Sequence, residues 1–247
     1  MKLLNLVPVT ARNLVTPDDL AYLRRFISPD IQVDLDQITL GSPCIEDEFS
    51  EALCLPDIIR HVIAAQKAGY DGVAISCFGD PAVKAARECV DIPVVGGFEP
   101  TMSIALGLGD RIGILAIMPE TEGQVRRNIG TSRLDGRVCC VKSLGVGVLD
   151  LHDHEKAIEA TYKTAKEAIL KDGADVIVLG CTGMVGVAGA VQEMLAQDGC
   201  QVPVLEPGVC ALSYLVMITA MGLKVSRTTY HKVSAEKIGW ALGECGA

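Results

Sequence analysis

The stretch AAQKAGYDGVAISC, residues 64–77, has a second version later in the chain, AILKDGADVIVLGC, residues 168–181. Each runs from a helical pattern through a glycine (Gly69, Gly173) into a short apolar run, and each ends on a cysteine. A helix stopped at glycine and followed by a continuous apolar run describes one helix leading into one buried strand. Two further pairs keep the same order. KLLNLVPVT from Lys2 resembles RIGILAIMPET from Arg111, and DIPVVGGFEP from Asp91 resembles QVPVLEPG from Gln201. The offsets are 109 from Lys2 to Arg111, 104 from Cys77 to Cys181 and 110 from Pro93 to Pro203. Three matches at nearly one offset make the chain two copies of one four-stranded α/β unit.

The rest of the pattern agrees. Short apolar runs predict strands at 3–7, 31–35, 72–76, 94–95, 112–117, 138–141, 176–179 and 204–205. Helical spacing predicts helices at 17–26, 56–67, 81–89, 124–128, 154–171, 185–197, 207–221 and 234–242, several opening on proline near the first turn. Strands alternating with helices imply mainly parallel sheets covered on both faces. The 247 residues are 49% hydrophobic but only 4% aromatic, so the core is aliphatic. A formal net charge of −9 without a basic block excludes a nucleic-acid backbone binder. The uncharged stretch 207–223, unmatched in length except by 176–192, is shorter than the roughly 20 residues of a membrane span and reads as a buried helix.

Ten cysteines are too few for a disulfide scaffold and show neither CxxC nor zinc spacing, so no metal is expected. The start MKLLNLVPVT lacks a secretory pattern, which points to a reducing cytoplasm and free thiols. Cys139 and Cys140, neighbours on one strand, are expected on opposite faces. His152 and His154 stand two apart at a helix start, where capping by Asp153 is the simpler reading.

Duplication singles out two of the cysteines. Cys77 in SCFGDP (76–81) and Cys181 in GCTGM (180–184) close the third strand of each half, where open α/β sheets bind ligands. Two related halves facing each other set these thiols on opposite sides of one cleft. Inverting a carbon that carries an acidic C–H needs a base on one face and an acid on the other, and cysteine serves as either. The nearby helix N-termini are expected to draw the thiols towards neutral pKa, and the N–H groups around Phe78–Gly79 and Thr182–Gly183 to hold substrate oxygens. No cofactor is called for, and the expected partner is a small molecule.

GSPCIEDEFSEAL (41–53), SCFGDP (76–81), GGFEPTM (96–102) and GCTGM (180–184) resemble the aspartate/glutamate/hydantoin racemase superfamily, within it the hydantoin and allantoin racemase branch. The resemblance covers nearly the whole chain. It implies two pseudo-twofold-related units with the site between them, 1–100 plus 206–247 against 101–205, and the final helices returning to the first. It also implies cofactor-independent two-base racemisation by Cys77 and Cys181, and a homo-oligomer. Where that branch carries an Asn-Pro-Asn-Thr-like turn, this chain has Val7-Pro8-Val9-Thr10; where it has a Thr- or Ser-rich loop, this chain has Met118-Pro119-Glu120-Thr121. The substrate thus stays open among a 5-substituted hydantoin, a related ureide and an amino acid.

Further site candidates after strand ends are Pro8, expected to contact substrate, and Thr10, Thr121 and Thr182, each a substrate contact or a helix cap. Glu99 and Glu206 follow the fourth strands symmetrically and are expected to orient site loops or pair with helix ends. Glu120 either meets a basic substrate group or caps its helix. Two rivals share the framework: an enzyme resembling maleate isomerase or arylmalonate decarboxylase, and a non-catalytic metabolite-binding protein.

Overall fold

The computed structural model describes residues 1–12, 14–151 and 153–243; His152 and Cys245 lie outside the described residues. The first half runs β1 (Lys2–Val7), α1 (Pro17–Leu23), a 3-10 turn (Arg24–Phe26), β2 (Gln32–Gln37), α2 (Glu48–Lys67), β3 (Gly72–Ile75), α3 (Val83–Cys89), β4 (Val94–Val95) and α4 (Phe98–Ala105). The second half repeats it with β5 (Ile112–Ala116), α5 (Pro119–Thr131), β6 (Val138–Ser143), a 3-10 turn (Val148–Asp150), α6 (His154–Asp172), β7 (Val176–Leu179), α7 (Val187–Gln197), β8 (Val204–Leu205) and α8 (Pro207–Ala220). A last helix, α9 (Ala235–Leu242), follows.

Among the described residues the strands form two four-stranded parallel sheets, ordered β2-β1-β3-β4 and β6-β5-β7-β8. The shared order is the duplication made physical. Side chains alternate across each sheet, as extended strands require. Leu4 and Leu6 of β1, with Val73 and Ile75 of β3, pack under α2 and α3, while Leu3 and Ala74 face α8 on the other side. In the second sheet, Leu115, Ile177 and Leu179 pack under α6 and α7, while Ile114, Val176 and Val178 face α4 and α5.

The helices after the fourth strands trade places. α4 leaves the first sheet and packs over β7, α8 leaves the second and packs over β3, and the two helices meet. α9 lies on α2, where Ile238 and Leu242 join the first core and Arg60 Nε donates to the Ala241 carbonyl. No helix among the described residues is long and apolar enough to cross a membrane.

Three differences from the sequence reading have local causes. α2 starts at Glu48, ahead of Pro56, because Asp47 caps it: its side chain accepts from Ser50 N at 2.7 Å. The helix absorbs Pro56 inside it, forgoing one backbone bond. α4 was not expected at all. Phe98, Pro100, Thr101, Met102 and Ala105 are all buried, leaving little of the polar face that marks an amphipathic helix. Cys139 is the bulged residue where the β5–β6 register shifts, so its sulfur turns back to lie 4.0 Å from Cys140 Sγ rather than across the sheet.

Candidate active site

In both sheets the chain order reverses beside the first strand of the half, since β1 and β5 each have a neighbour on either side reached by opposite crossovers. The crevice of an open α/β sheet opens at the carboxyl ends of these strands. Here both crevices open into one cavity of about 560 Å³. Val7, Pro8 and Val9 after β1, Ser76 to Gly79 after β3, Ile117 and Thr121 after β5 and Gly180 to Gly183 after β7 line it. Cys77 and Cys181 therefore share one chamber.

The two cysteine turns have the same construction. Ser76 N donates to Leu6 O at 2.8 Å, and Gly180 N donates to Leu115 O at 2.8 Å. These are the last bonds joining each turn to the central strand. The Gly79 and Gly183 N–H groups then point at the sulfur of their own turn, the latter at 3.4 Å. The turns also lie close together. A Cβ built on Gly97 would sit 3.0 Å from Thr182 Cγ2 and 3.1 Å from Phe78 Cα, so the two turns nearly touch there.

The Gly180 position tolerates no larger residue. A Cβ there would lie 2.6 Å from the Leu115 carbonyl oxygen, which is fixed in the sheet. Gly180→Ala is expected to cost about 1–3 kcal/mol by overpacking and to shift the Cys181 turn. Thermal or urea denaturation reads the loss; an unchanged midpoint means the strand end gives way.

The thiols differ from the expectation of a lowered pKa. Burial pushes Cys181 up to about 11, opposed by the Gly183 N–H and reinforced by Glu46. Burial pushes Cys77 up further, opposed by Gly79 and reinforced by Cys181, Glu51 and Asp80. The N–H groups that face the sulfurs are those of Gly79 and Gly183, ahead of α3, which begins at Val83, and of α7, which begins at Val187. Burial likewise pushes the carboxyls of Asp80 and Glu206 up to about 7.

Of the residues singled out in the sequence, Pro8, Cys77, Phe78, Gly79, Thr121, Cys181, Thr182 and Gly183 line the cavity. The Thr121 hydroxyl is already engaged, donating to Met118 O at 2.8 Å as part of the α5 cap. Thr10 and Glu99 are not among the residues that line it. Thr10 turns into the neighbouring loop, where its N–H donates to Ser42 O at 2.9 Å. Glu99 is held outside by Arg87, whose Nη2 donates to Oε2 at 2.7 Å. Glu120 sits exposed in the first turn of α5, away from the wall.

Sequence reading passed over part of the chamber. Arg12, Asp18, Asp19 and His154 line it as well, and Gln124 reaches in from α5 to donate to Glu51 of α2. Ile45, Val148 and Leu151 come from two loops that Glu46 ties together, its Oε1 accepting from Val148 N at 2.8 Å. The strand-end rule points to the loop after β1; the contact between Glu46 and Val148 has no local signal, since it joins the two halves.

A two-lobed parallel α/β fold with paired crevices in one chamber defines a class of small-molecule enzymes whose site lies between duplicated halves. The family model described as Asp/Glu/Hydantoin racemase matches residues 15–215. The chain belongs to that family and is by that membership an isomerase of the racemase type. It is 32% identical over 199 residues to a hydantoin racemase of Paenarthrobacter aurescens, covering 80% of this chain and 82% of that one. A hydantoin racemase of Pseudomonas sp. (strain NS671) is 30% identical over 209 residues, 84% of this chain and 82% of its own. Among solved structures, an allantoin racemase from Klebsiella pneumoniae superposes with a TM-score of 0.87 at 27% identity, covering 95% of this chain and 94% of that chain.

Proposed function

We propose that this chain racemises or epimerises a small substrate at a carbon acidified by a neighbouring carbonyl, using Cys77 and Cys181 as the two acid–base groups. The observation that carries the reading is that equivalent turns of the two halves present both thiols to one cavity. The site in this reading lies between the units 1–100 plus 206–247 and 101–205. One cysteine, as thiolate, takes the proton; the C–H electron pair passes to the carbonyl oxygen as an enolate. The opposite thiol then protonates the other face and is left as the thiolate, so the pair ends with its charge exchanged. Nothing is oxidised or reduced, and the reading includes no cofactor.

The walls speak to the substrate. Val7, Val9, Leu14, Val15, Ile45 and Val148 make much of the chamber apolar, and Val7 and Val9 stand where the resembled branch has amides. An apolar substituent fits such walls better than a second carboxylate or a ureido group, because an unpaired polar group there loses its water without a replacement. We therefore take a hydantoin with an apolar 5-substituent as the first substrate to test, ahead of allantoin, aspartate and glutamate. A cytoplasmic location and self-association belong to the same reading.

Single enantiomers of these four compounds, incubated in D2O and followed by chiral chromatography and polarimetry, test the proposal. Loss of optical activity with deuterium at the stereocentre is the expected result for the hydantoin. Turnover of none of them overturns the substrate class; conversion of maleate, tested separately beside them, favours the isomerase rival.

The pH dependence follows from the raised thiols. A group whose pKa lies above the working pH is mostly protonated, so the reactive thiolate grows as pH rises. kcat/KM is expected to climb about tenfold per unit between roughly pH 7 and 9, because it reports the free enzyme. A plateau already at neutral pH would show that neither thiol limits the reaction.

A further inference from the structure

Two carboxyls that the proton transfer does not use stand beside the two cysteine turns. Asp80 lies three residues after Cys77. Its Oδ1 accepts from Phe98 N at 2.7 Å and its Oδ2 from Glu99 N at 3.0 Å, the first two residues of α4. The contact is tight enough that a Cβ on Gly96 would fall 2.1 Å from Oδ1. Asp80 holds φ 56° to make it, and Ala82 holds φ 58°, backbone that residues other than glycine seldom adopt. The Cys77 carbonyl is fastened to the same place, accepting from Gly97 N at 3.0 Å.

The duplicated position in the second half is Met184, which offers no acceptor. Its task passes to Glu206, the residue before α8, which reaches the opposite way. Glu206 Oε2 accepts from Gly186 N at 2.9 Å, and the Ala188 N–H also faces the carboxyl. In the first half the cysteine turn supplies the carboxyl and the crossing helix the N–H groups. In the second half the residue before the crossing helix supplies the carboxyl, and the start of α7, five residues after Cys181, supplies the N–H groups. Both crossing helices pack on the opposite half, α4 over β7 and α8 over β3.

We propose that Asp80 and Glu206 are paired positioning residues, Asp80 latching the Cys77 turn to α4 and Glu206 latching the start of α7, into which the Cys181 turn leads, to α8, and so setting where the two thiols stand relative to each other. Only the catalytic consequence rests on the two-thiol reading; the latch itself is a statement about the turns.

Iodoacetamide labelling of the full chain at pH 9, read peptide by peptide by mass spectrometry, tests the latch without turnover. Asp80→Asn suits the first half, because asparagine tolerates the left-handed backbone yet presents a single acceptor to two N–H groups. Freed from α4, the Cys77 turn is expected to open. Cys77 should label at least about fivefold faster relative to Cys181 than in the parent chain. Glu206→Met should shift the ratio the other way, and Glu206→Gln, which keeps an acceptor for Gly186, should restore it. If Asp80→Asn fails to fold, the Glu206 pair carries the test, since its two variants differ only in the acceptor. An unchanged ratio, or equal acceleration of both cysteines, overturns the proposal. With any substrate the parent chain turns over, the latch variants should lose about tenfold in kcat with little change in KM. A labelling shift in a chain that turns over none of the panel overturns the proposed substrate class and leaves the latch standing.

Discussion

Cys77→Ser and Cys181→Ser are each expected to lower racemisation by about 10²–10⁴-fold, the usual worth of a positioned acid or base. Both directions should fall together, because forward and reverse reactions pass through the same two thiols. Proton exchange should not fall together. The enantiomer whose C–H faces the surviving thiol should still exchange deuterium, while its mirror image should not. Each serine variant should therefore show one-sided exchange, with opposite enantiomers in the two. Serine keeps the shape of the turn and its Gly79 or Gly183 donor, so the loss reads the thiol rather than the fold. Proton exchange unaltered by both substitutions in an active preparation would end the two-base idea. A covalent adduct on one cysteine would move the reaction to addition at an alkene.

Phe98→Ala should produce the largest loss of stability. Phe98 is 1% exposed and packs edge-on against Phe78, ring centroids 5.4 Å apart. Both rings come from the first half of the chain but sit in the core of the second, with Ile112, Ile114 and Val176. Truncating a phenylalanine in such a place costs about 3–5 kcal/mol. At roughly 2–4 °C per kcal/mol for a chain of this size, the Tm should drop by about 6–20 °C. Phe49, 73% exposed on α2, is the control, and its alanine variant should stay within about 0.5 kcal/mol of the parent. Because Phe78 follows Cys77, the weakened variant should also lose activity below its new Tm. A loss under about 1 kcal/mol would show that the rings do not anchor the first cysteine turn in the second half.

Much of the architecture could be read from residues 64–77 and 168–181, since burial on both faces of a parallel sheet demands apolar runs that any copy of the unit must repeat. The misreadings share a cause. α4 is buried on so much of its surface that no polar stripe betrays its period, and the capping pair Asp47 and Ser50 outweighed the proline expected to open α2. At the site, strand-end placement identified Pro8, Cys77, Phe78, Gly79, Thr121, Cys181, Thr182 and Gly183 as lining residues. Glu99 and Glu206 looked like counterparts by position. In three dimensions they part: Arg87 claims Glu99, while Glu206 accepts from Gly186 N at the start of α7.

The sequence by itself determined the duplicated α/β unit and the cysteine at the end of each third strand, because these follow from local periodicity and repetition along the chain. Only the tertiary structure decided that both crevices open into one chamber, that α4 and α8 exchange halves, and that Thr10 and Glu99 stand outside. It also decided the state of the thiols. Proximity to a helix start along the sequence suggested a lowered pKa, but desolvation at the floor of a shared cavity acts the other way and is the larger effect. Burial is a property of what the rest of the chain brings to a residue, and no local pattern around Cys77 or Cys181 records it.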